Sequence, residues 1–80
     1  MPASRLIHEV CARVAKLLHD ERVAQDVSMT RLAEGAGLSR QMISYVERGA
    51  RIPTLDTLLR ITNALKVDLA DIITRAHARN

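Results

Sequence analysis

Residues 29–48, MTRLAEGAGLSRQMISYVER, constrain this chain more than any other stretch. Two short runs with helical spacing flank Glu34-Gly35-Ala36-Gly37, and the glycines argue for a sharp turn between them. Ser39 opens the second run, where its hydroxyl can accept the free N–H groups that begin a helix. Gly49 follows Arg48 and suits the left-handed residue that closes a helix. A helix over 40–48 is therefore predicted.

That second helix divides by angle. At roughly 100° per residue, Arg40, Gln41, Ser44, Tyr45 and Arg48 fall within an arc of about 140°. Met42, Ile43, Val46 and Glu47 fall opposite, so one side is apolar apart from Glu47. The other side offers two guanidinium groups, an amide, a hydroxyl and a phenol, groups able to reach base edges and phosphates. Periodicity alone is equally satisfied by an amphipathic surface helix with a solvated face.

Composition and charge narrow the choice. Eighty residues suit one small domain, 1–80, and with one Tyr and no Phe or Trp its core must come from Leu, Ile, Val, Ala and Met. So small a domain buries limited surface, which makes support from a second copy an expectation. Twelve Lys and Arg against nine Asp and Glu give a net charge of +3, suited to a polyanionic partner. The excess is local. Up to Thr30, Arg5, Arg13, Lys16 and Arg22 are balanced by Glu9, Asp20, Glu21 and Asp26. From Arg31 to Arg51, the four arginines Arg31, Arg40, Arg48 and Arg51 face only Glu34 and Glu47.

Catalytic and metal chemistry find no support. His8, His19 and His77 are scattered without zinc-ligand spacing and read as surface or helix-end residues. Cys11 lies three residues from His8, but no third group orients such a pair, and Cys11 belongs to an apolar stripe as a small core residue. A single cysteine also rules out an internal disulfide. The Gly35-x-Gly37 turn follows a helix rather than a strand, unlike a phosphate-cradling loop. No enzyme, cofactor or metal is expected. The N-terminal apolar run is interrupted by charges, unlike a signal peptide, and no stretch is long enough to span a membrane. A soluble cytoplasmic protein without membrane contact is the expectation.

The remaining helices follow from spacing and caps. Leu6, Ile7, Val10, Cys11, Val14, Leu17 and Leu18 predict a first helix from Ser4, its cap, to about Ala24, with Pro2 just outside. Ser28 caps a helix from Met29 to about Gly35. Pro53 ends the connection after Gly49, and Arg51 projects from that loop, placed to grip a phosphate. Thr54 caps a fourth helix with Leu55, Leu58, Leu59, Ile61 and Leu65 as its apolar side. Asp68 caps a fifth, with Asp71 where a capping-box acid would stand and Leu69, Ile72, Ile73 and Ala76 along one side. The tail from His77 to Asn80 is expected to fray.

In sequence, residues 29–48 resemble the helix-turn-helix of the lambda-repressor-like (Cro and xenobiotic-response-element) family of DNA-binding proteins. The matching residues are Leu32-Ala33, Gly37, Leu38-Ser39, Ile43-Ser44, Val46 and Glu47-x-Gly49. The resemblance runs from about 18 to 73, leaving 4–17 as an N-terminal helical extension. It implies an all-α, compact five-helix lambda-repressor-like domain with an extended first helix. It also implies a structural ion pair between Arg22 and Glu47, which explains a carboxylate on the buried side of its helix. Arg40, Gln41, Ser44 and Tyr45 become base readers, and Thr30, Arg31, Ser39, Arg48 and Arg51 phosphate contacts. Two departures stand out. Asp26 occupies a position where the family commonly has Gly, and Met29 one that is often a DNA-contacting Gln, leaving Thr30 or Arg31 to replace that contact.

The expected partner is double-stranded DNA, bound by a homodimer on a two-fold repeat, with an interface through Leu69, Ile72 and Ile73 and the N-terminal extension. The resemblance leaves an alternative open: an antitoxin-type or other interaction module whose N-terminal helix binds a partner protein such as a toxin. Controllers of restriction–modification genes share the size and layout as well.

Overall fold

The computed structural model describes residues 3–78, which form α1 (Ala3–Ala24), α2 (Met29–Ala36), α3 (Arg40–Glu47), α4 (Leu55–Leu65) and α5 (Leu69–His77). Three of the four connections repeat one device. In Asp26-Val27-Ser28, Gly37-Leu38-Ser39 and Lys66-Val67-Asp68, a left-handed residue ends one helix and a side-chain cap begins the next. The left-handed residue lets two successive N–H groups turn back onto the outgoing helix. Leu38 N–H donates to the Ala33 carbonyl at 2.9 Å, Val27 to Arg22 at 3.1 Å and Val67 to Thr62 at 3.0 Å. The cap then accepts from the incoming helix: Ser28 from Arg31 N–H, Ser39 from Met42 N–H and Asp68 from Ala70 N–H. The middle residue, Val27, Leu38 or Val67, packs against the core and fixes the entry angle.

Glycine supplies the left-handed conformation at Gly37, where φ is 70° and an added Cβ would lie 3.3 Å from the Arg60 guanidinium. Asp26 and Lys66 adopt it without that freedom, at φ 57° and 60°. The fourth connection is longer. It closes α3 at Gly49, with Ala50 N–H on the Tyr45 carbonyl at 2.9 Å, and restarts at Thr54, which caps Thr57 N–H.

These tight joints bring all five helices onto one core. Leu18 of α1, Ile43 and Val46 of α3, Ile61 and Leu65 of α4 and Ile72 of α5 are its largest fully buried side chains. From α2 come Leu32 and the small Ala33 and Ala36, allowing α3 and α4 to approach closely. α1 packs most extensively on α5, and it and the residue after it brace two helix ends. Arg13 donates to the Ala76 carbonyl at 3.1 Å, and Gln25 to the Leu65 carbonyl, the last of α4, at 2.8 Å. Thr62, buried in α4, satisfies its hydroxyl on the Leu58 carbonyl at 3.0 Å.

Several expectations change. α1 already includes Ala3, so Ser4 lies within the helix rather than capping it; Pro2, Arg79 and Asn80 lie outside the described residues. α2 runs through Gly35 to Ala36, leaving Gly37 and Leu38 as the turn. Asp71 reaches forward to Arg75 at 3.7 Å rather than back to the cap. Leu55 and Leu59 are exposed, because α4 turns Leu58, Ile61 and Leu65 inward and leaves them on its shoulder. Cys11 is only half-buried. Ile72 is 0% exposed, consumed by its own core, so it is not available to an interface; Leu69 and Ile73 pack partly against the same core.

Candidate nucleic-acid interface

The position of α3 is set from beneath. Ile43 and Val46 are buried, Met42 and Leu38 pack at the core's edge, and the Glu47 carboxylate points inward with its side chain 4% exposed. Three donors surround it. Arg22 Nε donates to one carboxylate oxygen at 2.7 Å and Arg22 Nη2 to the other at 3.1 Å. His19 Nδ1 lies 2.8 Å from that second oxygen. Because a carboxylate only accepts, Nδ1 carries the proton in this arrangement. Arg22 also donates to the Val27 carbonyl at 2.8 Å, tying α1, the first connection and α3 into one unit. Burial by itself would raise the Glu47 pKa. The Arg22 hydrogen bonds, then that of His19 and the charges of both, outweigh burial and hold the carboxyl below its ordinary value.

His19 is the residue that sequence reasoning set aside. It stands one helical turn before Arg22, so spacing toward an ion-paired arginine was the available signal.

The outward side of α3 is different in kind. Gln41 Nε2 donates to the Tyr45 hydroxyl at 2.6 Å. The Tyr45 ring carries the Arg51 guanidinium 4.7 Å from its centroid and that of Arg48 at 5.6 Å. Arg48 Nε is steered further by the Ser44 hydroxyl at 3.1 Å. Tyr45, expected as a reader, is thus also a platform that holds two arginines beside the helix. Arg40, at the first turn of α3, is exposed and has no partner among the described residues. Thr30 and Arg31 on α2 are exposed as well, while Met29 packs against the core. Ser39 is exposed; its oxygen accepts from Met42 N–H, leaving the hydroxyl proton free to donate.

One surface therefore presents Arg40, Gln41, Ser44 and Tyr45 with Arg48 and Arg51 alongside, and the acid of the same helix is turned away and neutralised. Such a face suits a polyanion with readable edges. Among the described residues no cluster of three or more His, Cys, Asp and Glu could hold a metal ion, and no helix is long and apolar enough to cross a membrane.

Comparison with known proteins agrees with this geometry. A helix-turn-helix family model matches residues 18–72. An uncharacterised HTH-type transcriptional regulator of Mycobacterium tuberculosis is 41% identical over 59 residues, 74% of this chain and 42% of the regulator, so the chain spans about two fifths of that relative. The control protein C.SmaI of Serratia marcescens is 34% identical over 67 residues, 84% of this chain and 80% of that protein. A 10 kDa protein of the ImmF control region of Bacillus phage phi105 is 32% identical over 57 residues, 71% of this chain and 63% of its own. The family is one of DNA-binding regulators rather than enzymes. With the matched segment spanning α2 and α3 and the core beneath them, the chain belongs to the lambda-repressor-like, Cro/C1-type helix-turn-helix family.

Proposed function

We propose that this protein is a sequence-specific transcriptional regulator that binds double-stranded DNA as a homodimer, with α3 in the major groove of each half of a two-fold site. The observation that carries this reading is the outward face of α3, where Arg40 has no partner among the described residues and Gln41, Ser44 and Tyr45 lie between it and the Arg48–Arg51 pair. Arg40 enters first and suits guanine O6 and N7; Gln41 can release Tyr45 to address adenine. Arg48, Arg51, Arg31, Thr30 and Ser39 hold the phosphates on either side. The likeness to C.SmaI, which extends over 80% of that control protein, supports a regulatory role.

Selection of bound sequences from random duplexes tests the reading. It should yield a two-fold repeat with centres about 34 Å apart, one helical turn. Affinity for that site should fall steeply with salt. Recovery of no preferred sequence, with binding that never exceeds that to random DNA, would refute it.

A further inference from the structure

α1 is apolar along one side for longer than the domain beneath it. At roughly 100° per residue, Ile7, Cys11, Val14 and Leu18 fall within about 60° of one another. Yet exposure runs from 56% at Ile7, through half-buried Cys11, to 6% at Val14 and 1% at Leu18. The stripe that enters the core at Val14 emerges uncovered at Ile7 and Leu6. A second uncovered group lies on the segment after α3: Ile52, at 69% exposure, and Leu55 and Leu59, one turn apart on α4. Between these elements runs an apolar groove of about 490 Å³, whose lining includes Cys11, Ala12, Ala15, Ile52, Pro53 and Leu58. Of six large apolar side chains exposed among the described residues, five belong to these two groups; Val23, toward the other end of α1, is the sixth. Exposed apolar residues on a monomer are ordinarily scattered singly, and a contiguous patch marks an interaction site.

We propose that a second copy of this chain packs on this groove about a two-fold axis, with the overhanging first turns of α1 from each copy laid along the groove of the other. This rests on the homodimer reading above and moves the face from α5 to α1, the Ile52 loop and α4, with Ile73 of α5 also lining the groove. Three observations favour a second copy as the occupant. An uncovered apolar helix end and an apolar groove are present on the same molecule, as an isologous contact requires. The groove is bordered by Val46, Arg48, Gly49 and Arg51, from the end of α3 and the loop after it. A chain seated there fixes the separation of two α3 helices, which a two-fold DNA site demands. Finally, charges on these helices are already paired within the chain. Arg60 holds Asp56 at 2.8 Å, and Glu9 lies 3.9 Å from both Arg5 and Arg13, so closure strands no lone carboxylate. A standard interface of about 800 Å² per partner is a modest share of the 5351 Å² that this chain exposes.

Sedimentation equilibrium of the full chain, without DNA, measures the association directly. Ile7→Asp and Ile52→Asp alter side chains exposed in the single copy, so the monomer should keep its helical content and thermal melt. Each should weaken self-association about a hundredfold or more, because a charge enters the interface twice. Val23→Asp should leave it unchanged. Cys11, the only thiol, reports from inside the groove. Its reaction with an aromatic disulfide reagent should slow as protein concentration crosses the dissociation constant, and should be concentration-independent in Ile52→Asp. A dimer indifferent to both variants would overturn the proposed face while leaving the homodimer reading intact. A chain that stays monomeric, free and on its selected DNA, would overturn both. Protection of Cys11 by the apolar anion anilinonaphthalene sulfonate in a chain that never dimerises would assign the groove to a small ligand instead.

Discussion

The two sides of α3 handle charge in opposite ways. On the inward side a single carboxylate, Glu47, is 4% exposed and held by Arg22 at 2.7 Å and His19 at 2.8 Å. On the outward side Arg40 has no partner among the described residues, and Arg48 and Arg51 rest on an aromatic ring rather than on an acid. A charge that is buried must be answered within the chain, or its desolvation destabilises the fold. A charge kept for a polyanion must be left unanswered, or the partner has to displace a competitor. The helix keeps its one acid for the fold and its arginines for the surface. Mutations on the two sides should therefore separate stability from binding.

The largest separation comes from Glu47→Ala. It leaves the Arg22 guanidinium, itself 12% exposed, without its partner in the core's margin. Thermal or denaturant unfolding should show a loss of about 3–5 kcal/mol, enough to unfold much of a marginal small domain. A variant that melts with the parent would remove the structural role of the triad. The same carboxylate sets an acid limit. Its pKa is lower in the fold than the ordinary 4.5, so its contribution is complete above that value and is lost as pH falls through the depressed one. Urea midpoints should decline below about pH 4.5, and Glu47→Gln should flatten that part of the profile.

On the outward side, Arg40→Ala should leave the melt unchanged and cost about 1–3 kcal/mol of specific affinity, with relaxed preference at one base position per half-site. Competition among single-base variants of the selected site measures this. Equal loss at every position would make Arg40 a phosphate contact. Arg51→Ala should act the other way, weakening binding to all duplexes alike. The slope of log affinity against log salt should become shallower by about 0.9 for each phosphate that Arg51 neutralises. The smallest effect lies away from both sides of α3. Asp26→Gly relieves a left-handed aspartate at φ 57° and should raise stability by about 0.5–1 kcal/mol without touching DNA affinity.

Much of this organisation was legible in the residues, and the limits have physical causes. Caps are local, so Ser28, Ser39, Thr54 and Asp68 could each be read from a few neighbours. Asp71 shows where local reading fails: a capping-box acid and an i, i+4 ion pair use the same carboxylate, and Arg75 takes it. Helical angles separated the two sides of α3, because periodicity is also local. Which apolar residues are covered is not local. Ile72 and Leu59 look alike on their helices, yet one is fully buried and the other half exposed, since that depends on where α1 and α4 cross the body. The contacts of His19 with Glu47 and of Arg51 with Tyr45 join different elements, so beyond the spacing of His19 to Arg22 it takes the folded chain to reveal them.

The most direct test is to titrate a duplex carrying the selected site into the isotope-labelled chain and map the amide shifts. The largest changes should fall at Ser39, Arg40, Gln41, Ser44 and Tyr45, with smaller ones at Thr30, Arg31 and Arg51. The amides of Ile43 and Val46 should stay within the folded pattern. Shifts concentrated on α1 and α4, with Arg40 and Gln41 unmoved, would mean that the outward face of α3 does not meet DNA.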